Sequence, residues 1–259
     1  MKKRLHTVLT IVFVLAAVLA APAASFAQLK VIISGGFSAA YRELLPEFES
    51  TTGIKVTTSS GASVGNSPNT IPAQIRRGTA ADVVILAREG LNELIAERLT
   101  VPGTDEDLAQ SLIGMIVSAG RPKPDISTVE SFKQALLRAR SVAMSSSTSG
   151  TYLTTKLLPQ LGIADQMAGK ISMSGAAAVG RGEAEIGLQQ VSEVLPIPGT
   201  DFVGTIPAEV QYITTYAAGV VARSTQIDAA KLLIAFLTSD SAAAAIKKSG
   251  MEPARRRSP

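Results

Sequence analysis

Short apolar runs alternate with amphipathic segments along most of the chain. Strands are predicted where apolar residues are consecutive or alternate with polar ones, in segments bounded by Gly, Pro or Ser. The predicted strands are 29–33, 54–58, 82–86, 112–117, 142–144, 186–189 and 210–221. Helices are predicted mainly from apolar residues at three- to four-residue spacing, at 38–51, 91–99, 128–138, 151–161, 175–182, 228–237 and 241–248. The alternation of strands and helices predicts an α/β fold.

The first 27 residues have the pattern of a secretory signal peptide. Lys2, Lys3 and Arg4 precede an apolar run of about 14 residues, which is shorter than the roughly 20 residues of a membrane-spanning helix. Ser25-Phe26-Ala27 fits a cleavage site between small residues. We therefore predict export to the periplasm and a mature chain that begins at residue 28.

The composition excludes several kinds of chemistry. There is no cysteine in the 259 residues, and the single histidine, His6, belongs to the predicted leader. A mature chain with neither residue has no thiolate nucleophile, no Cys or His metal centre and no Ser-His-Asp triad. We predict no catalytic residues, no metal and no cofactor, and therefore no enzyme.

The positive charge lies at the two ends of the chain. Of 25 basic residues, three are in the leader and three are in the tail at 255–257, which leaves 19 basic against 21 acidic residues in between. The body of the protein therefore has no basic excess of the kind that nucleic acid binding requires. The tail, 255–259, is predicted to be disordered.

Three strand-to-helix junctions are rich in Gly, Ser and Thr: 34–38, 59–69 and 145–151. Such junctions can present hydroxyl groups and free backbone N–H groups at the start of a helix, where an anion is stabilised. A single junction of this kind is explained equally well by helix capping. Three of them together predict a shared anion-binding site.

Several segments in fixed order resemble the periplasmic molybdate-binding proteins of ABC transporters. They are Ser34-Gly35-Gly36-Phe37-Ser38, Thr52-Gly53-Ile54-Lys55-Val56, Ala73-Gln74-Ile75-Arg76-Arg77-Gly78 before Ala81-Asp82-Val83-Val84-Ile85, Gly150 at the start of a helix, Gly182-Glu183-Ala184-Glu185-Ile186-Gly187 and Ser249-Gly250-Met251. The resemblance spans essentially the whole mature chain. It implies the two-lobed type II periplasmic binding protein fold, in which each lobe is a mixed sheet flanked by helices.

The resemblance also implies how the chain is divided and what it does. Lobe I would comprise 28–113 and 219–254, and lobe II 114–218, with hinge motion about crossing strands near Ile113 and Gly219. The protein would be a monomer that binds a small anion in the cleft and delivers it to an ABC permease of the inner membrane.

The site implied by the resemblance is built from neutral donors. Its residues would be Gly36, Phe37, Ser38, Ser59, Ser60, Gly61, Ser149, Gly150 and Ser172, with Gln190 at a position where relatives carry a tyrosine. The loop at 59–69 is about six residues longer than in those relatives and adds Asn66, and Gln189 lies beside Gln190. These departures suit a ligand larger or less symmetrical than a tetrahedral oxyanion.

Three interpretations of the ligand therefore remain at this point. A molybdate- or tungstate-like oxyanion agrees best with the resemblance, and an organic carboxylate agrees with the two amide side chains. An exported enzyme that uses the same cleft is the third, although the sequence has no clustered Asp and Glu set for a metal.

Overall fold

The computed structural model describes residues 28–255. The predicted signal peptide, 1–27, and all but the first residue of the predicted disordered tail lie outside these residues, so both stay predictions.

The described chain folds into eleven strands and the helices between them. The strands are β1 (Leu29–Ile33), β2 (Val56–Ser60), β3 (Val83–Ala87), β4 (Glu106–Ser111), β5 (Ile113–Ser118), β6 (Val142–Met144), β7 (Ile171–Ser172), β8 (Ile186–Gln190), β9 (Thr200–Thr205), β10 (Thr214–Val220) and β11 (Glu252–Pro253). The α-helices are α1 (Gly35–Thr52), α2 (Ile71–Arg76), α3 (Arg88–Ala96), α4 (Val129–Arg138), α5 (Thr148–Tyr152), α6 (Leu158–Gln160), α7 (Ala164–Met167), α8 (Ala177–Gly180), α9 (Val191–Val194), α10 (Ile227–Leu237) and α11 (Ala242–Lys248).

The strands form two mixed sheets, each flanked by helices. The first has the order β11-β4-β10-β3-β1-β2, and the second has the order β7-β6-β8-β5-β9. Parallel pairs lie at β1–β2 and β1–β3 in the first sheet and at β6–β7 and β6–β8 in the second, whereas β10 and β5 pair antiparallel. The architecture confirms the predicted α/β fold. Below, the first half denotes the six-stranded sheet with its helices, and the second half the five-stranded sheet with its helices.

Helix α1 illustrates how the apolar pattern sets the packing. Ala40, Tyr41, Leu44 and Phe48 recur at the predicted spacing and are buried against the first sheet. The helix ends at Gly53, whose left-handed backbone (φ 72°) lets its N–H reach back to the carbonyl of Glu49.

The chain passes between the sheets at two places. The first is Leu112, the single residue between β4 and β5, and the second is 206–213, between β9 and β10. The Gln211 amide secures both, because it accepts from the N–H of Ile113 (2.8 Å) and donates to the carbonyls of Ile113 and Ile206. Gly219, where we expected the second crossing, pairs with Val84 inside the first sheet. The lobe ranges and the hinge motion stay predictions.

Four segments illustrate how the structure differs from the predicted elements. The strands β4 and β9 were not predicted, because their sequences are mostly polar (EDLAQS and TDFVGT). The predicted strand 210–221 begins only at Thr214, after a 3₁₀ turn at Ala208–Val210. The predicted helix 151–161 begins earlier, at Thr148, and contains a π-helical turn at Leu153–Leu157.

No single helix in residues 28–255 is long and apolar enough to cross a membrane. The helices α10 and α11 together reach the required length and hydropathy, but they are bent by 62° relative to each other.

We predict that Asp82→Ala destabilises the first half. The buried carboxylate accepts hydrogen bonds from the Lys30 N–H (2.7 Å) and the Ser224 hydroxyl (2.6 Å), so it joins β1 and β3 to the segment after β10. Its removal leaves a strand N–H without a partner, and we expect the free energy of unfolding to fall by about 1.5–3 kcal/mol. Urea unfolding measures this loss. The exposed Asp165→Ala is the control, and a loss below about 0.5 kcal/mol in Asp82→Ala contradicts the assignment.

Candidate functional site

A cavity of about 180 Å³ lies where loops of the two halves meet. The first half contributes Ser34–Gly36 after β1, 62–63 after β2 and Tyr216 of β10. The second half contributes 145–149 after β6, and Gln190 and Glu193 at the end of β8. Ligand sites in α/β proteins lie at such carboxyl ends of strands. Larger grooves of about 460–570 Å³ each lie within one half only.

The first wall of the cavity is the start of helix α1. Ser34 occupies the N-cap position of this 18-residue helix, but its hydroxyl makes no capping hydrogen bond. The hydroxyl is buried and has no hydrogen-bond partner among the described residues. No acidic residue of the helix itself lies in its first turn, so the positive end of the helix dipole is not neutralised from within α1.

The opposite wall is the serine-rich loop after β6. Thr148 is buried with 8% of its surface exposed, and its hydroxyl also has no partner in the described part of the chain. The neighbouring hydroxyls of Ser145 and Ser149 lie 3.4 Å apart. Buried polar groups are nearly always satisfied by protein or water. Two unsatisfied hydroxyls that face one cavity from opposite halves therefore indicate a polar ligand.

Two glycines at the start of α1 make room for side chains of the cavity wall. A methyl group at Gly36 would lie 1.7 Å from the hydroxyl of Tyr216, which belongs to the first half itself. One at Gly35 would lie 2.4 Å from Oε1 of Glu193, which belongs to the second half. A side chain at either position would have to displace one of these two groups from its place in the wall.

Two ionisable groups of the cavity are shifted toward their neutral forms. Burial raises the pKa of Glu193 to about 7, against the opposing effect of a hydrogen bond from Gln189. Burial, followed by the charges of Glu193 and Glu89, raises the pKa of Tyr216 well above its ordinary value. Glu193 is crowded by protein atoms but remains partly accessible to solvent. At neutral pH the cavity therefore contains a neutral phenol and a carboxyl group close to its titration midpoint.

A second contact between the halves lies beside the cavity. The Tyr212 hydroxyl donates a short hydrogen bond to Glu89 at the start of α3. Tyr212 also stacks on Tyr152 with the ring centroids 4.8 Å apart, and the Tyr152 hydroxyl donates to the carbonyl of Val210. Burial, together with the hydrogen bond to Glu89, raises the pKa of Tyr212. This contact fixes α3 against the segment that enters β10.

Five of the residues predicted from sequence lie at the cavity or beside it. Gly36, Ser149 and Gln190 line it. Ser38 and Gln189 line an adjoining groove, where the Ser38 hydroxyl donates to the carbonyl of Ser34. The Gln190 amide lies beside Thr214 and Ser111 at the crossing between the sheets. In the amide orientation that satisfies both of its atoms, the oxygen accepts from the Thr214 hydroxyl (2.7 Å) and the nitrogen donates to Ser111 (3.2 Å).

The remaining predicted residues are not brought to the cavity wall. Phe37 is fully buried in the first core, and Gly150 lies inside α5, where a methyl group would meet the Ser145 carbonyl oxygen at 1.6 Å. The others are Ser59 and Ser60 at the exposed end of β2, Gly61 after it, Asn66 in the exposed loop and Ser172 on β7.

Ten of the thirteen residues of the wall were not among the predicted site residues, although eight of the ten lie within the three predicted junctions. Ser63, which accepts from the N–H of Ala87 at 2.9 Å, and Thr148 lie within junctions that were predicted, but Glu193 and Tyr216 do not. The junction after β8 lacks the Gly and Ser enrichment that identified the other three. The feature of the sequence that could have identified this junction is a glutamate three residues after a strand that ends in Gln189-Gln190. Among residues 28–255 there is no group of three or more His, Asp or Glu that could hold a metal ion.

Comparison with known proteins gives the family. Residues 29–252 match the bacterial extracellular solute-binding protein family. A curated relative, the aconitate isomerase of a Pseudomonas species, is 41% identical over 229 residues, which is 87% of each chain. The periplasmic molybdate-binding protein of Azotobacter vinelandii superposes with a TM-score of 0.72 at 23% identity, over 88% of this chain and all of that one. The substrate-binding domain of a putative molybdenum ABC transporter of Clostridium difficile superposes with a TM-score of 0.64 at 22% identity, over 88% and 99% of the two chains.

The prediction that this chain is not an enzyme is wrong, because the relative at 41% identity is named as one. That prediction rested on the absence of histidine and cysteine. The physical error was to treat histidine as necessary for acid–base chemistry near neutral pH, since burial can bring a carboxyl group into the same range.

The match over residues 29–252, the 41% identical relative and the two-sheet architecture agree, and this chain belongs to the bacterial extracellular solute-binding proteins, with the fold of the periplasmic binding proteins of ABC transporters.

Proposed function

We propose that this protein binds a small polycarboxylate between its two halves and interconverts the cis and trans isomers of aconitate. The observation that carries the choice of site and ligand class is the pair of buried hydroxyls, on Ser34 and Thr148, that face one cavity without protein partners. The choice of reaction follows the name of the relative at 41% identity.

The cavity suits carboxylate groups for electrostatic reasons. Among the residues that the structure describes, no Lys or Arg lines its wall, so a bound anion is held by neutral donors. The Ser34 and Thr148 hydroxyls can each donate to a carboxylate oxygen, and the start of α1 adds the positive end of a helix dipole. Donors fixed on opposite halves bind one ligand only when the halves are together, which couples binding to closure.

The volume favours a compact ligand. About 180 Å³ is below the roughly 300–1,000 Å³ of sites for drug-sized molecules. Aconitate has three carboxylates on a three-carbon chain, so most of its surface accepts hydrogen bonds. The same neutral donors could hold a molybdate-like oxyanion, but likeness to the molybdate-binding structures at 22–23% identity concerns the fold. The relative at 41% identity favours the tricarboxylate.

The reaction needs only proton transfer. Both isomers carry a C=C bond next to a CH₂ group, so a proton removed from CH₂ and returned to the former vinyl carbon moves the double bond along the chain. The geometry of the new double bond is set by the torsion at which the site holds the former single bond. No oxidant, metal or covalent nucleophile enters the balance, which agrees with a sequence without cysteine.

The proposal also covers where the protein acts and with which partner. The family implies a small ligand and a periplasmic location. We propose export through the leader at 1–27 and action as a monomer. Delivery of the bound ligand to an ABC permease remains compatible with catalysis, because both require the cleft to open and close.

We predict that the purified chain interconverts cis- and trans-aconitate. Proton NMR distinguishes the vinyl protons of the two isomers and follows the approach to equilibrium. In a thermal-shift panel, either isomer at 100 times its dissociation constant should add about 2.7 kcal/mol of stability. Molybdate, tungstate and sulfate are the comparison ligands. Stabilisation by molybdate together with no turnover of aconitate contradicts the proposal.

We predict that Thr148→Val weakens binding without weakening the fold. The hydroxyl has no protein partner, so its replacement by a methyl group of similar size leaves unfolding unchanged or slightly improved. A hydrogen bond to a charged ligand is worth about 1.5–3 kcal/mol, so the affinity for aconitate should fall about 10- to 100-fold. Calorimetry measures the affinity, and the exposed Thr225→Val is the control. Unchanged affinity in Thr148→Val would show that the ligand lies elsewhere.

A further inference from the structure

Glu193 is the only carboxyl group in the wall of the cavity among the described residues. It lies in α9, three residues after the end of β8, and Oε1 lies over Gly35 at the start of α1. Glycine at position 35 is what admits the carboxyl group, because a methyl group there would lie 2.4 Å from that oxygen. The second half therefore places a carboxyl group in the same cavity wall as the two residues whose hydroxyls we assign to ligand binding.

The carboxyl group is held but not neutralised. The Gln189 amide donates a hydrogen bond to it, and the oxygen of the same amide accepts from the N–H of Ala176 at 2.9 Å. The groups that face Glu193 from other elements are the Tyr216 phenol on β10 and, across the adjoining groove, Arg42 on α1. Within residues 28–255, Glu193 is part of no ion pair. A positioned carboxyl group without a counter-charge is costly for folding, which indicates a role other than stability.

We propose that Glu193 is the catalytic residue that takes a proton from the CH₂ carbon of aconitate and returns it to the other end of the allylic system. This inference rests on the proposed function. In the first step the C–H bond breaks, its electron pair enters the C=C system, and the proton joins the Glu193 carboxylate. In the second step the carboxylic acid protonates the former vinyl carbon. The enzyme ends in its starting state, and no co-reactant is consumed.

The other groups of the cavity suit supporting roles. The Tyr216 phenol stays protonated at neutral pH because burial raises its pKa, so it can donate a hydrogen bond but does not act as a base. The Ser34 and Thr148 hydroxyls are donors to the ligand carboxylates. A raised pKa near 7 gives Glu193 both protonation states at neutral pH, which a group that must accept and then donate a proton requires.

The first test is Glu193→Gln, with the exposed Glu183→Gln as the matched control on the same half. We expect Glu193→Gln to lower the rate of isomerisation at least 100-fold and to stop the uptake of deuterium from D₂O into recovered aconitate. Binding of the saturated analogue propane-1,2,3-tricarboxylate should be retained or tightened, because the amide removes a negative charge. Glu183→Gln should behave as wild type.

The second test uses pH. The value of kcat/KM for the wild type should fall tenfold per unit as pH drops below about 7, because the carboxylate form is lost. Affinity for the saturated analogue should instead fall above about pH 7, where the ionised carboxyl group repels it, and Glu193→Gln should abolish this second dependence. Glu193→Asp, which keeps the acid with a shorter reach, should retain part of the activity.

The outcomes separate this inference from the proposed function. If the wild type does not isomerise aconitate, the proposed function fails. If the wild type is active and a folded Glu193→Gln keeps its rate or its deuterium uptake, the assignment of Glu193 is overturned. If Glu193→Gln does not fold, the activity of Glu193→Asp and the wild-type pH profile test the assignment instead. A flat kcat/KM profile between pH 5.5 and 8, together with full activity of Glu193→Asp, would overturn it.

Discussion

The absence of side chains at Gly35 and Gly36, in the first turn of α1, is the constraint on which the site depends. Because these positions lack side chains, Glu193 and Tyr216 can lie against the first turn of α1. This contact makes one cavity from two walls and buries the carboxyl group enough to raise its pKa. A larger residue at Gly35 would displace the Glu193 carboxyl group, and one at Gly36 would displace the Tyr216 hydroxyl, so the geometry and the acidity of the site both depend on this turn.

The crossing between the sheets is the second requirement. Gln211 bonds to Ile113 and Ile206, and Gln190 lies between Thr214 and Ser111, so side-chain amides link the two crossing segments. Polar side chains that bond across two segments fix the position of one relative to the other. Gln190, which the resemblance places where relatives carry a tyrosine, thus bonds to residues at the crossing in this chain.

The sequence predicted the fold better than the site. Apolar periodicity is a property of long segments, and it identified most strands and helices, failing at strands that are mostly polar, such as β4 and the edge strand β9. Enrichment in Gly and Ser located three of the junctions that form the cavity wall, because hydroxyls and bare backbone leave a compositional signal. Glu193 leaves no such signal: a single glutamate on a short helix looks like any surface acid until folding places Gly35 against it.

The absence of histidine from residues 28–255 has a consequence for how this protein responds to its surroundings. No side chain there has an ordinary pKa near neutrality, so the carboxyl group that burial brings to about 7 dominates proton uptake and release in that range. Capture of an anion by such a cleft is coupled to proton uptake, because the neutral form of the carboxyl group does not repel the ligand. The heat of binding should therefore depend on the buffer that supplies the proton, and a change in external acidity alone would alter occupancy at constant ligand concentration.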